Sequence, residues 1–187
     1  PIFRTASFEF WYPPAGDAAE FKVEDFALGT SLEGGDVMPI GNRTVLVGMG
    51  ERSTGRMVEH LARSLFAAEA ADRIIACRME QARAYMHLDT VLGFVDRDAI
   101  TAYPPVLEAM KVYSIRPGEK RGTFDVDEER GIVPALADAL RVRELRVIPT
   151  GGDAFRAARE QWNDANNVVA VEPGVVLAYA LNTATNA

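Results

Sequence analysis

Three hairpin signals recur along this chain and constrain its fold more than any other feature. Apolar runs flank turn residues at Gly41-Asn42, at Asp96-Arg97-Asp98 and at Pro173-Gly174. Short β-rich runs broken by such residues read as antiparallel hairpins. Helix and a further strand lie between successive hairpins, so the chain reads as strand-strand-helix-strand modules. The spacing is uneven and the repeat weak. Modules of this kind can stack around an axis, each lending residues to a central site.

The segments between the turns fill in the modules. Leu32-Glu33-Gly34-Gly35-Asp36 reads as a Gly-rich turn between two carboxylates, where the backbone can approach other groups closely. After the first hairpin, Ser53 or Thr54 is placed to cap a helix running to about Ala71, with Met57, Leu61 and Leu65 on its apolar face. Arg52 stands just before it on a loop, a common place for a binding group. Strands are expected at 73–77, 91–95, 99–103, 111–115 and 145–148, and helices from Pro104, over 133–141 and over 154–162. The charged, turn-rich stretch 117–131 reads as a surface loop. At the N-terminus, Phe8-Glu9-Phe10 suggests a strand, and Phe8, Phe10, Trp11 and Tyr12 are expected to be core or lid contacts.

Met86-His87-Leu88-Asp89-Thr90 holds one of the two histidines of the chain, just before an apolar run. In an extended strand, residues i and i+2 share a face, so His87 and Asp89 can aim into one pocket while Leu88 packs the other way. Imidazole carries protons near neutral pH, and a neighbouring carboxylate can hold a cation. Such a pair suits a site that binds a positively charged group and moves a proton on it. The plainer alternative is a capping histidine at a strand edge.

Composition narrows the partners. The 187 residues carry a net charge of −7 with no stripe of Lys or Arg, which argues against nucleic acid and anionic membranes. No apolar segment approaches the length of a membrane span, and no signal-peptide pattern stands ahead of the first strand, although the chain opens on Pro1. Apolar residues make up 48%, enough for one sizeable core, and a single domain over 1–187 is expected. Cys77 is the one cysteine. It allows no internal disulfide, which agrees with a reducing, cytoplasmic setting. With His60 and His87 it makes no zinc cluster, so no metal is expected. Cys77 itself reads as a small buried hydrophobe rather than a nucleophile.

Five blocks, Leu32–Asp36, Gly50–Ser53, Met86–Thr90, Gln161–Asn167 and Glu172–Gly174, together resemble the arginine deiminase family, in the right order and over nearly the whole chain. The resemblance implies a pentein α/β-propeller, of which this α/β chain carries about three of five modules. It implies conversion of L-arginine and water to L-citrulline and ammonia through a covalent amidino-cysteine, without a cofactor. It implies that His87 is the acid/base, that Glu33 orients it, that Asp89 pairs with the guanidinium and that Arg52 holds the substrate carboxylate. It also implies that Asp36 belongs to the same site, among the substrate-binding residues with Arg52 and Asp89. A planar guanidinium is well matched by a carboxylate, and a carboxylate by arginine.

Departures from the family pattern set a further expectation. The nucleophilic cysteine of the family lies beyond the Asn-Thr-x-Thr-Asn block, where this chain ends, and a second guanidinium-binding aspartate and another arginine come from an N-terminal part that is absent. Leu181 stands where arginine is usual, and Ala184 and Ala187 also differ. This polypeptide by itself is therefore expected to lack deiminase activity. The alternatives are another guanidine-modifying pentein, against which Arg52 argues where the substrate has no carboxylate, or a non-catalytic arginine-binding or self-associating module. Exposed apolar edges of an open propeller favour a homo-oligomer.

Overall fold

Each of the first two hairpin signals founds its own sheet. The computed structural model describes residues 30–120 and 122–187. The N-terminal aromatic cluster and the strand expected beside it lie outside them. In the first unit, β1 (Val37–Gly41) and β2 (Thr44–Met49) are antiparallel, α1 (Gly55–Ala67) crosses over, and β3 (Arg73–Arg78) returns parallel to β2. In the second, β4 (Leu92–Asp96) and β5 (Ala99–Ala102) are antiparallel, and β8 (Arg146–Pro149) returns parallel to β5. The same strand-strand-crossover-strand plan thus occurs twice.

The second crossover is long. It holds α2 (Pro104–Ala109), β6 (Lys111–Pro117), β7 (Phe124–Glu128) and α3 (Ile132–Leu140). Strands β6 and β7 leave their own unit and join the first sheet beside β3, giving the order β1-β2-β3-β6-β7. Helix α4 (Ala154–Trp162) then leads to the third hairpin, β9 (Val169–Glu172) and β10 (Val175–Leu177).

Period-2 alternation in β3 divides the interior between two layers. Ile75 and Cys77 face one cluster with Leu46, Leu92, Ile100, Val112 and Leu136, all at most 1% exposed. Ile74 and Ala76 face the other, with Val47 and the Val58 and Ala62 side of α1. A strand covered on both faces reads as a continuous apolar run, as Ile74–Cys77 does.

Four sequence expectations shift. The first turn is Asn42-Arg43, one residue late, with both residues at positive φ (46° and 56°), as a two-residue primed turn requires. Helix α1 stops at Ala67 instead of near Ala71. Glu69 adopts a left-handed conformation, and its carbonyl accepts a bond from Arg43 Nη2 at 2.6 Å. The expected loop 117–131 contains a strand, β7. Its Phe124-Asp125-Val126-Asp127 alternates with period 2, and its charges mark an edge strand open to solvent rather than a loop. Finally, Leu88–Thr90 is a 3-10 turn, not the start of a strand.

Candidate functional site

The tight Leu88–Thr90 turn sets the site. His87 is extended and precedes it, and Leu88 is fully buried in the main core with Val91, so the turn is anchored from below. The same-face argument for a strand does not apply, yet His87 and Asp89 still meet, at Gly35. A Cβ on Gly35 would stand 2.6 Å from Asp89 Oδ2 and 2.9 Å from His87 Cγ. Only glycine admits both side chains so near the main chain.

Glu33 and His87, distant in sequence, are joined at 2.6 Å between Oε2 and Nε2. Asp36 is buried, and both of its oxygens are already bonded within the fold. Its Oδ1 accepts the Leu88 N–H at 2.8 Å and its Oδ2 accepts the Ser53 hydroxyl at 2.6 Å. Burial pushes the Asp36 carboxyl up to about 6, against these two bonds and the nearby His87. Asp89 is also raised, first by burial, with His87 opposing it, Asp164 adding to it and the Thr90 amide opposing it. Asp89 Oδ1 is buried and has no hydrogen-bond partner among the described residues. Arg52 is exposed, one residue before Ser53, and no hydrogen bond or ion pair among the described residues joins it to Glu33, His87 or Asp89.

Two clefts of about 320 Å³ each share Asp89 as a wall. One is the more polar, formed with His87, Arg83, Trp162, Asp164 and Asn167. The other is more apolar, between Gly35, Met38, Phe94 and Val168. The polar knot Asn163–Asn167 is thus a wall of the site, a role that its turn-forming composition did not disclose. Gln161 pins this wall to the His87 segment by donating to the Ala84 carbonyl at 2.7 Å. Asn166 is buried and bonded to Thr101 and Thr150. Glu160, buried at the end of α4, accepts from the Ala184 and Thr185 amides and from Thr185 Oγ1. Burial alone would raise its pKa, but these bonds and Arg156 outweigh that and hold it low.

Cys77 is fully buried in the main core, and burial pushes its thiol well above the ordinary range. It is remote in character from a nucleophile. No group of three or more His, Cys, Asp or Glu that could hold a metal occurs among the described residues, and no helix there is long and apolar enough to cross a membrane.

Asp36 gives a pH-dependent test. Its carboxyl titrates higher in the fold than in the unfolded chain, so its favourable share is complete below the unfolded value of 3.8 and is lost as pH rises through about 6. Asn at this position keeps an acceptor for Leu88 and a donor for Ser53 without the charge. Urea unfolding should show Asp36→Asn gaining on the unmutated protein as pH rises through this window, by on the order of 2 to 3 kcal/mol. A difference in stability that is flat with pH would refute the assignment.

Fold and site together define a mixed α/β protein with a histidine–carboxylate pair beside an unpaired buried carboxylate oxygen. The family model described as arginine deiminase matches residues 1–187, and the chain belongs to that family. A curated arginine deiminase from Mycolicibacterium gilvum (strain PYR-GCK) is 47% identical over 156 residues, 83% of this chain. The chain spans 38% of that relative's length. Among solved structures, DDAH from Pseudomonas aeruginosa, a cysteine-to-serine mutant complexed with citrulline, is similar with a TM-score of 0.49 and 14% identity, covering 96% of this chain and 50% of that one. A likeness of that degree is too slight to assign a fold.

Proposed function

We propose that this chain carries the guanidinium-binding and proton-handling part of an arginine deiminase site. The observation that carries the reading is Asp89. Its buried Oδ1 lacks a donor, and a guanidinium would supply one. His87 stands beside it, held by Glu33, and serves as acid and base. In the overall reaction, L-arginine and water give L-citrulline and ammonia. A thiolate attacks the guanidinium carbon, His87 gives a proton to the departing ammonia, and His87 then takes one from the water that hydrolyses the amidino-cysteine. Arg52 receives the substrate carboxylate. Asp36 acts through the main chain of Leu88 rather than on the substrate.

Family membership and the name of the Mycolicibacterium relative support this assignment. The twice-repeated strand plan supports a pentein α/β-propeller of which these residues are about three modules. A single domain over 1–187 and a cytoplasmic location belong to the same proposal, as does assembly into a homo-oligomer. The thiolate is not supplied by these 187 residues, because the one cysteine is buried in the core. The chain alone should therefore bind L-arginine without releasing ammonia.

Calorimetric titration with arginine, citrulline and agmatine tests the proposal. Arginine should bind, and agmatine, which has no carboxylate for Arg52, should bind more weakly. No heat with any of the three from a folded sample would favour a self-associating module. The exposed Val169, Val171, Leu177 and Tyr179 around the third hairpin are the observation behind that second reading.

A further inference from the structure

We propose that Ser53 is a positioning residue for the Glu33–His87 pair, an assignment that rests on reading this pair as the proton-handling part of the site. Ser53 is 2% exposed. It stands just before α1, where a serine ordinarily caps the helix, but its hydroxyl turns away. It donates to Asp36 Oδ2 at 2.6 Å and accepts the Glu33 N–H at 3.1 Å. Thr54 occupies the capping position and makes no side-chain capping bond.

These bonds close a ring. The Glu33 main chain is held by Ser53, Ser53 by Asp36, and Asp36 by the amide of Leu88, the residue after His87. The ring closes where His87 Nε2 meets Glu33 Oε2. Both ends of the Glu33–His87 contact are thus fixed to one buried carboxylate, and Ser53 is the link to the Glu33 side. The Gly50 N–H donates to the Ser53 carbonyl at 3.1 Å, so the main chain of the loop bearing Arg52 is set by the same residue. A ring of satisfied polar groups in a low-dielectric interior is rigid, and opening one link loosens the others.

Ser53→Ala removes the hydroxyl and nothing else. The reporter is the ring N–H of His87, seen by nitrogen-edited NMR, and His60 on α1 is the control because it is the only other histidine. The His87 signal should be present in the unmutated protein and lost in Ser53→Ala, as in Glu33→Ala, while the His60 signal and the backbone amide pattern persist. A folded Ser53→Ala with the His87 signal unchanged would overturn the proposal, as would absence of the signal from the unmutated protein. Should Ser53→Ala fail to fold, hydrogen exchange in the unmutated protein decides. The Glu33 amide should exchange slowly, and exchange at the rate of an open loop would overturn the assignment. No arginine enters these measurements, so failure to bind arginine would count against the proposed function and leave this inference standing.

Discussion

Replacing Asp89 with Asn should nearly abolish arginine binding while making the protein harder to melt at neutral pH. The binding loss follows from exchanging a carboxylate for a neutral amide opposite a guanidinium. Charge-assisted bonds of this kind contribute about 2 to 3 kcal/mol, roughly 30- to 150-fold in Kd. The gain in stability follows from burial. Oδ1 has no partner, and the carboxyl is raised chiefly because the fold disfavours its charge. A raised carboxyl contributes stability that is present in acid and lost as pH rises through its folded value. The neutral variant escapes that loss, so its advantage should appear at neutral pH and fade in acid. Calorimetry with arginine, beside thermal melts at both ends of the range, measures the two effects. Undiminished arginine affinity in Asp89→Asn would sink the role assigned to this residue.

The largest effect on stability is expected from Gly48→Ala. Gly48 is buried in β2, and a Cβ there would run into Asp36 Oδ1 and lie 2.9 Å from Leu88 Cβ. Neither neighbour can yield. Asp36 is tied at both oxygens, and Leu88 is fully buried. Overpacking of such a site costs about 3 kcal/mol, which for a chain of this length lowers Tm by roughly 10 °C. The Glu33–His87 contact should loosen with it. Gly34 supplies the control, since a Cβ there meets nothing within 4 Å. Gly34→Ala should change stability by less than about 0.5 kcal/mol, as exposed substitutions usually do. Equal melting temperatures for the two variants would show that the space beneath the turn is open.

The contrast between these glycines shows what sequence patterns can disclose. Gly34-Gly35-Asp36 announces a loop with room for close approach, and Gly35 does bring Asp89 and His87 together. Gly48 looks like any residue in an apolar strand. Its need arises only from Asp36 and Leu88, which come from other segments. Strand β3 is legible as a continuous apolar run, and helix α4 as a stretch closed by the turn-forming Asn163–Asn167. β7 is not, because its charges conceal the alternation of Phe124 and Val126. The same-face pattern of His87 and Asp89 points to a strand geometry that the chain does not adopt. They converge through a 3-10 turn, which the Leu88 amide bond to Asp36 holds across 52 residues of sequence. The cap expected from Ser53 or Thr54 is made by neither side chain, and for Ser53 the reason is related. A serine ahead of a helix signals a cap, and nothing local reports that a buried carboxylate competes for its hydroxyl.

The excursion of β6 and β7 into the first sheet has a consequence for dissection. A break in the chain anywhere from the β1–β2 turn to the loop before β8 separates at least one strand from its hydrogen-bonded neighbour. The two repeated units are therefore interlaced and share no clean seam. A nick at Gly151 or Gly152 divides no pair of neighbouring strands, because β9 and β10 pair only with each other. Two-piece complementation of this chain should tolerate that junction and fail at those upstream.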